Sequence, residues 1–213
     1  MPRKIALFLA HPYCSSDSAN GLMAALEPQY RFKLFGRHAV EDGFFDDVDI
    51  VAVGGGIGDA SSYKRLWREN GPKVRRFMSE GGRYLGVCMG AYWAAHHYLN
   101  ILHGVRATQY ITRPDTCTRR PHAKAMPVTW DGEPERMYFY DGCALHGDGE
   151  FDTVATYGNG DAMAGYQGRI GLIGCHPEAT QHWYRQPSYM KTHWHHNRHH
   201  KLLQGFVDQL MER

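Results

Sequence analysis

Ile5-Ala-Leu-Phe-Leu-Ala10 is an unbroken apolar run, and it limits the possible folds more than any other feature of the chain. A strand with one wet face alternates apolar and polar residues, whereas a run without polar positions needs cover on both faces. Asp49-Ile-Val-Ala-Val53, Arg83-Tyr-Leu-Gly-Val-Cys88 and Gly168-Arg-Ile-Gly-Leu-Ile-Gly-Cys175 read the same way, and Tyr30-Arg-Phe-Lys-Leu-Phe35 alternates. Helical patterns separate them. Leu22, Met23 and Leu26 form one; Tyr63, Leu66 and Trp67 a second; Val74, Phe77 and Met78, after Pro72 and before Gly81-Gly82, a third. A further helix is predicted from Cys88 through about His97. Strands alternating with helices predict parallel pairing in a doubly wound α/β sheet, with the ligand crevice beyond the carboxyl ends of the strands.

From about 104 to 170 the pattern changes to short strands at Pro127–Trp130, Arg136–Tyr140, Thr153–Tyr157 and Asp161–Tyr166, separated by Gly, Asp and Pro turns. They predict a small antiparallel extension to a mainly parallel core. Leu202, Leu203, Phe206, Val207, Leu210 and Met211 form the apolar stripe of a last helix. No repeat, linker or low-complexity tract interrupts the chain, so 1–213 reads as a single domain.

The 213 residues suffice for a sizeable core. A formal charge of +2 gives no reason to expect nucleic acid or membrane binding. The five cysteines are odd in number and lack the short spacings of zinc or redox motifs, which favours reduced thiols. The N-terminal apolar run ends at His11-Pro12, too short for an export signal or a membrane span. A cytoplasmic protein is expected.

Three motifs fall at strand ends. Gly86-Val-Cys-Met-Gly90 has the form of a nucleophile elbow, in which flanking glycines allow a strained turn that presents the sulfur near the start of a helix. The same residues would also suit a small buried side chain at a tight bend. Gly54-Gly-Gly-Ile-Gly58 could form a concavity of backbone N–H groups facing the crevice, or a flexible turn; no Gly-Lys-Ser/Thr follows to make it a phosphate loop. In Cys175-His-Pro-Glu178 the carboxylate can orient the imidazole, although a histidine at a strand end is often only a polar residue with a backbone partner. Together they suggest Cys88 as nucleophile, His176 as base and Glu178 as its orienting acid. Gly55, Gly56 and Met89 are the expected oxyanion donors. Tyr92, Gly58 and Cys14 are expected to border the substrate pocket.

The glycine loop, GGRYLGVCMGAYWAA and the late IGCHPE resemble the class I glutamine amidotransferase-like superfamily, and within it the biotin–protein ligase N-terminal-like domains. The likeness runs from about residue 5 to 210 and includes MYFYDGCALHG. It implies a flavodoxin-like three-layer α/β/α sandwich and a Cys-His-Glu triad, carried here by Cys88, His176 and Glu178. Glutamine-using members read Cys-x-Gly-x-Gln. This chain has Tyr92 at the last position, and a phenol cannot supply an amide's donor–acceptor pair. The expected activity is cysteine-dependent hydrolysis or amidotransferase-type chemistry on a small-molecule amide, through a thioester and without a cofactor. A synthetase or ligase partner would be needed to use released ammonia, because no ATP-binding motif is recognisable. Biotin ligase activity itself is not expected. The alternative is a non-catalytic binding or regulatory module of the same fold.

His193-Trp-His-His-Asn-Arg-His-His200 places imidazoles four residues apart, the spacing of paired metal ligands on a helix, but contains no carboxylate. No metal site is expected; a partly buried, polar helix start explains the tract better, and a metal-dependent hydrolase is the third reading. Arg113, Arg119 and Arg120 could bind a substrate carboxylate, or remain solvated.

Overall fold

The computed structural model describes residues 3–27, 29–57 and 59–213. Its eleven strands form one sheet. The parallel part runs in the order β2 (Tyr30–Phe35), β1 (Arg3–Phe8), β3 (Ile50–Val53), β4 (Arg83–Val87), β11 (Ile170–Ile173). Antiparallel pairing then continues through β10 (Ala162–Gln167), β9 (Asp152–Tyr157), β6 (Lys124–Trp130) and β7 (Glu133–Phe139). Two further strands, β5 (Val105–Gln109) and β8 (Cys143–Gly147), pair with each other, and β8 meets β10.

The unbroken apolar run of β1 has the expected cause. Ile5 and Leu7 pack into a core shared with α1 (Ser16–Leu26) and α5 (Arg198–Met211). Ala6 and Phe8 face the opposite core, with residues of α2 (Ala60–Trp67) and α3 (Gly71–Ser79). The helices thus cover both faces of the parallel part, giving the α/β/α arrangement. On α5, Leu203, Phe206, Val207 and Leu210 are buried, with Leu202 and Met211 at the margin.

Two predictions miss. The helix after Cys88 is short: α4 covers only Met89–Trp93. A longer helix would give the Trp93 carbonyl to the amide of His97, but the Leu99 N–H takes it at 2.9 Å. The Trp93 ring is fully buried against Phe8, Tyr63 and Trp67, which anchors the chain where the helix stops. Strands β5 and β8 went unpredicted because Arg106-Ala-Thr108 and Cys143-Ala-Leu145 carry few of the large β-branched residues that mark a strand. The antiparallel part is correspondingly larger than the sequence suggests. No helix of the described residues is long and apolar enough to cross a membrane.

Candidate active site

Strands β4 and β11 are parallel neighbours with Val87 opposite Ile173, and the Cys88 N–H donates to the Ile173 carbonyl at 2.8 Å. Residues leaving these two strands therefore emerge side by side. That register brings the cysteine elbow and Cys175-His-Pro-Glu178 to the same sheet edge.

At the elbow Cys88 has φ 50° and ψ −104°, a conformation that costs an L-residue on the order of 1–3 kcal/mol. The flanking glycines make the turn possible. A Cβ on Gly90 would lie 2.0 Å from the Val53 carbonyl oxygen, and one on Gly86 would lie 2.6 Å from the Gly90 carbonyl carbon. The elbow is thus pressed against the end of β3. Cys88 is 5% exposed, and its Sγ stands 3.7 Å from the Tyr140 carbonyl oxygen.

His176 is held from several directions. Its N–H donates to the Tyr138 carbonyl at 2.8 Å, and its ring lies against those of Tyr138 and Trp183. Nδ1 lies 2.9 Å from Glu178 Oε1, and the same oxygen accepts the Ser18 hydroxyl at 2.6 Å. Ser18 Oγ in turn accepts the Gly55 N–H at 2.8 Å. The chain turns between histidine and glutamate, with the Ala179 N–H donating to the His176 carbonyl at 3.2 Å. The carboxylate thus reaches the ring through a turn rather than an extended segment. Glu178 is completely buried, so this polar chain has its full effect in a low-dielectric setting.

The electrostatics of His176 have opposing causes. Burial disfavours the imidazolium, while the charges and hydrogen bonds of Cys88 and Glu178 favour it more, raising its pKa to about 10. The charge of the Cys88 sulfur therefore acts on the ring. Beside these groups opens a cleft of about 380 Å³, bordered by Gly56, Cys88, Met89, Tyr92, Tyr140 and Asp141 among others. Its volume suits a small-molecule ligand.

Several expected roles change. The Gly55 N–H is committed to Ser18 rather than to an oxyanion. What the site requires at Gly55 is the missing side chain, since a Cβ there would lie 2.6 Å from His176 Cε1. Gly56 and Met89 do border the cleft. Cys14 does not: its side chain is buried, its backbone bridges to Gly56, and burial, partly offset by a hydrogen bond with the Ala10 backbone, pushes its thiol up to about 12. Such a thiol is unreactive at neutral pH. Gly58 lies outside the described residues. Tyr92 borders the cleft and donates its hydroxyl to the Asp141 carbonyl at 3.1 Å.

Ser18 is the contributor that sequence reasoning missed. It stands four residues before Leu22 on the buried face of α1, so its signal was a polar residue on an apolar helix stripe. Tyr140 and Asp141, on the turn between β7 and β8, were missed because their proximity to Cys88 depends on the antiparallel part.

The histidine tract packs into the fold. The His195 and His199 rings stack with centroids 3.9 Å apart, and His199 Nε2 meets buried Glu135 Oε2 at 3.0 Å, joining α5 to β7. Arg198 also binds Glu135. Burial, aided by neighbouring cationic groups, lowers both imidazoles to about 3. Among the described residues no group of three or more His, Cys, Asp or Glu converges as a metal ion would need. Arg113 forms a two-pronged bond with Asp161 at 2.9 Å, and Arg119 donates to the Ile111 and Arg113 carbonyls, so both fasten loops.

No protein of curated function matches the chain by sequence. The family described as "Biotin-protein ligase, N terminal" matches residues 12–101. Among solved structures, a glutamine amidotransferase of Thermotoga maritima is similar with a TM-score of 0.69 and 10% identity, covering 100% of both chains. A second structure described as a glutamine amidotransferase has a TM-score of 0.66 at 16% identity, covering 98% of this chain and 99% of that one. PurLQS of Thermotoga maritima has a TM-score of 0.62 at 14% identity, covering 99% of this chain and 100% of its counterpart. The chain therefore has the class I glutamine amidotransferase-like fold, and its residues 12–101 are similar to the N-terminal region of biotin–protein ligases.

Proposed function

We propose that this chain, working as a single domain, is a cysteine-dependent enzyme that cleaves a carbon–nitrogen amide bond, by hydrolysis or as the ammonia-releasing half of an amidotransferase. One observation supports the reading: Cys88 sits at a strained bend that opens on a cleft, and its charge acts on the His176 ring that Glu178 holds. A bend of this strain has little structural purpose if the thiol does nothing.

With Nδ1 engaged by Glu178, Nε2 of His176 is the nitrogen that serves Cys88. The Cys88 thiolate attacks the amide carbonyl carbon, and the C=O electron pair moves onto oxygen near the Gly56 and Met89 amides. The C–N bond then breaks while His176 gives its proton to the departing nitrogen, leaving an acyl-thioester. Water attacks the thioester, His176 takes a proton from it, and the S–C bond breaks. The sum is amide plus water to carboxylic acid plus amine, which ionise to carboxylate and ammonium. Where the amine is ammonia, a separate synthetase partner would consume it.

Tyr92 favours a second reading, a binding module of the same fold, because its hydroxyl is committed to the Asp141 backbone. The two readings separate when the protein is incubated with a panel of carboxamides, glutamine included, and its peptides are examined by mass spectrometry. The enzyme forms an acyl adduct on Cys88 with at least one amide, absent from Cys88→Ala, and releases amine. Amide binding without adduct or release would instead support the binding module.

A further inference from the structure

The cleft in front of Cys88 is bordered by carboxylates, and the cation of the site, the His176 imidazolium, is already matched by Glu178. Asp59 and Asp141 border it, and no lysine or arginine does so among the described residues. Each carboxylate is held in place by groups that leave its charge intact. Asp59 caps α2, accepting the Ser62 N–H at 2.8 Å and the Ser61 hydroxyl at 3.0 Å. Those bonds hold its carboxyl below the usual range. Asp141 accepts Gln109 Nε2 on both oxygens, at 2.9 and 3.1 Å. Lys124 is an ammonium in electrostatic range of Asp141, and it donates to the Arg120 carbonyl and lies over the Phe139 ring.

The remaining walls are aromatic and apolar. Tyr92, Tyr98 and Tyr140 border the cleft, and Ile57 stands 74% exposed at its rim. Phenol faces attract cations and tolerate alkyl chains. A substrate bearing a carboxylate would meet two like charges and no guanidinium or ammonium to offset them, a repulsion that is strongest at low salt.

We infer that the cleft selects amides carrying a cationic group, an ammonium or guanidinium on a short apolar stem, and discriminates against anionic ones. This rests on the reading of Cys88 as the nucleophile, and it makes Asp59 and Asp141 specificity residues of that same site. The stem would lie against the tyrosines with its charge between the two carboxylates and its carbonyl at the sulfur.

Methanethiosulfonates of different charge test the selection without knowledge of the substrate. In each, the thiolate attacks the sulfenyl sulfur, the S–S bond breaks and methanesulfinate leaves. The full chain is treated separately with 2-aminoethyl, methyl and 2-sulfonatoethyl methanethiosulfonate. Modification of Cys88 is followed by peptide mass spectrometry, and each rate is divided by that of free N-acetylcysteine. The expected order is cationic over neutral over anionic, with about threefold to tenfold per step at low salt. Asp141→Asn, which keeps an acceptor for Gln109 and suits the positive φ of that position, reduces the spread, as does Asp59→Asn, which keeps the helix cap. Because the Asp59 variant alters an exposed cap, it stands as the second test if the Asp141 variant does not fold. Equal normalised rates at a reactive Cys88, or a preference that both variants retain, would overturn the inference while leaving the nucleophile in place. A Cys88 inert to all three reagents would overturn both.

Discussion

Cys88 adopts a backbone conformation that L-residues avoid, and the residues around it share the burden. Gly86 and Gly90 let the bend sit against β3. Gly55 leaves room for the imidazole, and Ser18 ties the Gly55 amide to the carboxylate behind that imidazole. Gly55→Ala therefore pushes the His176 ring off its position without touching the sulfur. Displacements of about 1 Å cost on the order of 100-fold in rate. The expected result is amide turnover lowered by about that factor, with the circular dichroism spectrum retained; unaltered turnover would show that the ring position does not matter. The sequence made Cys88, His176 and Glu178 visible because each sits in a short motif at a strand end. Ser18 was not visible, since its partners lie 37 and 160 residues away and only the fold introduces them.

At the level of elements, the start of α5 is attached to β7 through buried histidines. His195 and His199 titrate near 6.5 when unfolded but near 3 when folded, so both are neutral in the native state. Below about pH 6.5 the unfolded chain binds protons that the folded chain refuses. Stability is thus complete above that pH and falls as the solution is acidified toward 3. Urea unfolding at pH 5 should give a free energy lower than at pH 7 by about 1–2 kcal/mol per histidine. His199→Gln should flatten this dependence, whereas a wild-type profile level between pH 7 and 5 would contradict the assignment. The four-residue spacing in the sequence was compatible with metal ligands as well as with a partly buried helix start. What distinguishes the cases is Glu135, contributed by a strand whose pairing the sequence did not reveal.

Across the whole molecule, the parallel core was the legible part. Its strands are buried on both faces, so their apolar runs have no other explanation, and α5 announced itself by its stripe. The antiparallel part was legible only in pieces, because β5 and β8 are composed of small and polar residues whose burial comes from their neighbours. That part nevertheless supplies Tyr138 behind His176 and Tyr140 and Asp141 beside the cleft. The candidate site is therefore a joint product of both halves of the sheet: the parallel half brings the ends of β4 and β11, and with them Cys88 and His176, to one sheet edge, and the antiparallel half walls the cleft before Cys88.

The proposed chemistry depends on electrostatic coupling between Cys88 and His176, and nitrogen NMR of the histidine side chains measures it most directly. In the wild type the His176 imidazole should stay protonated well past neutrality and lose its proton around pH 10, and Cys88→Ala should lower that midpoint by removing the neighbouring sulfur. A His176 that titrates near 6.5 in both proteins would mean the two groups do not act on each other, and the proposed chemistry would have no basis.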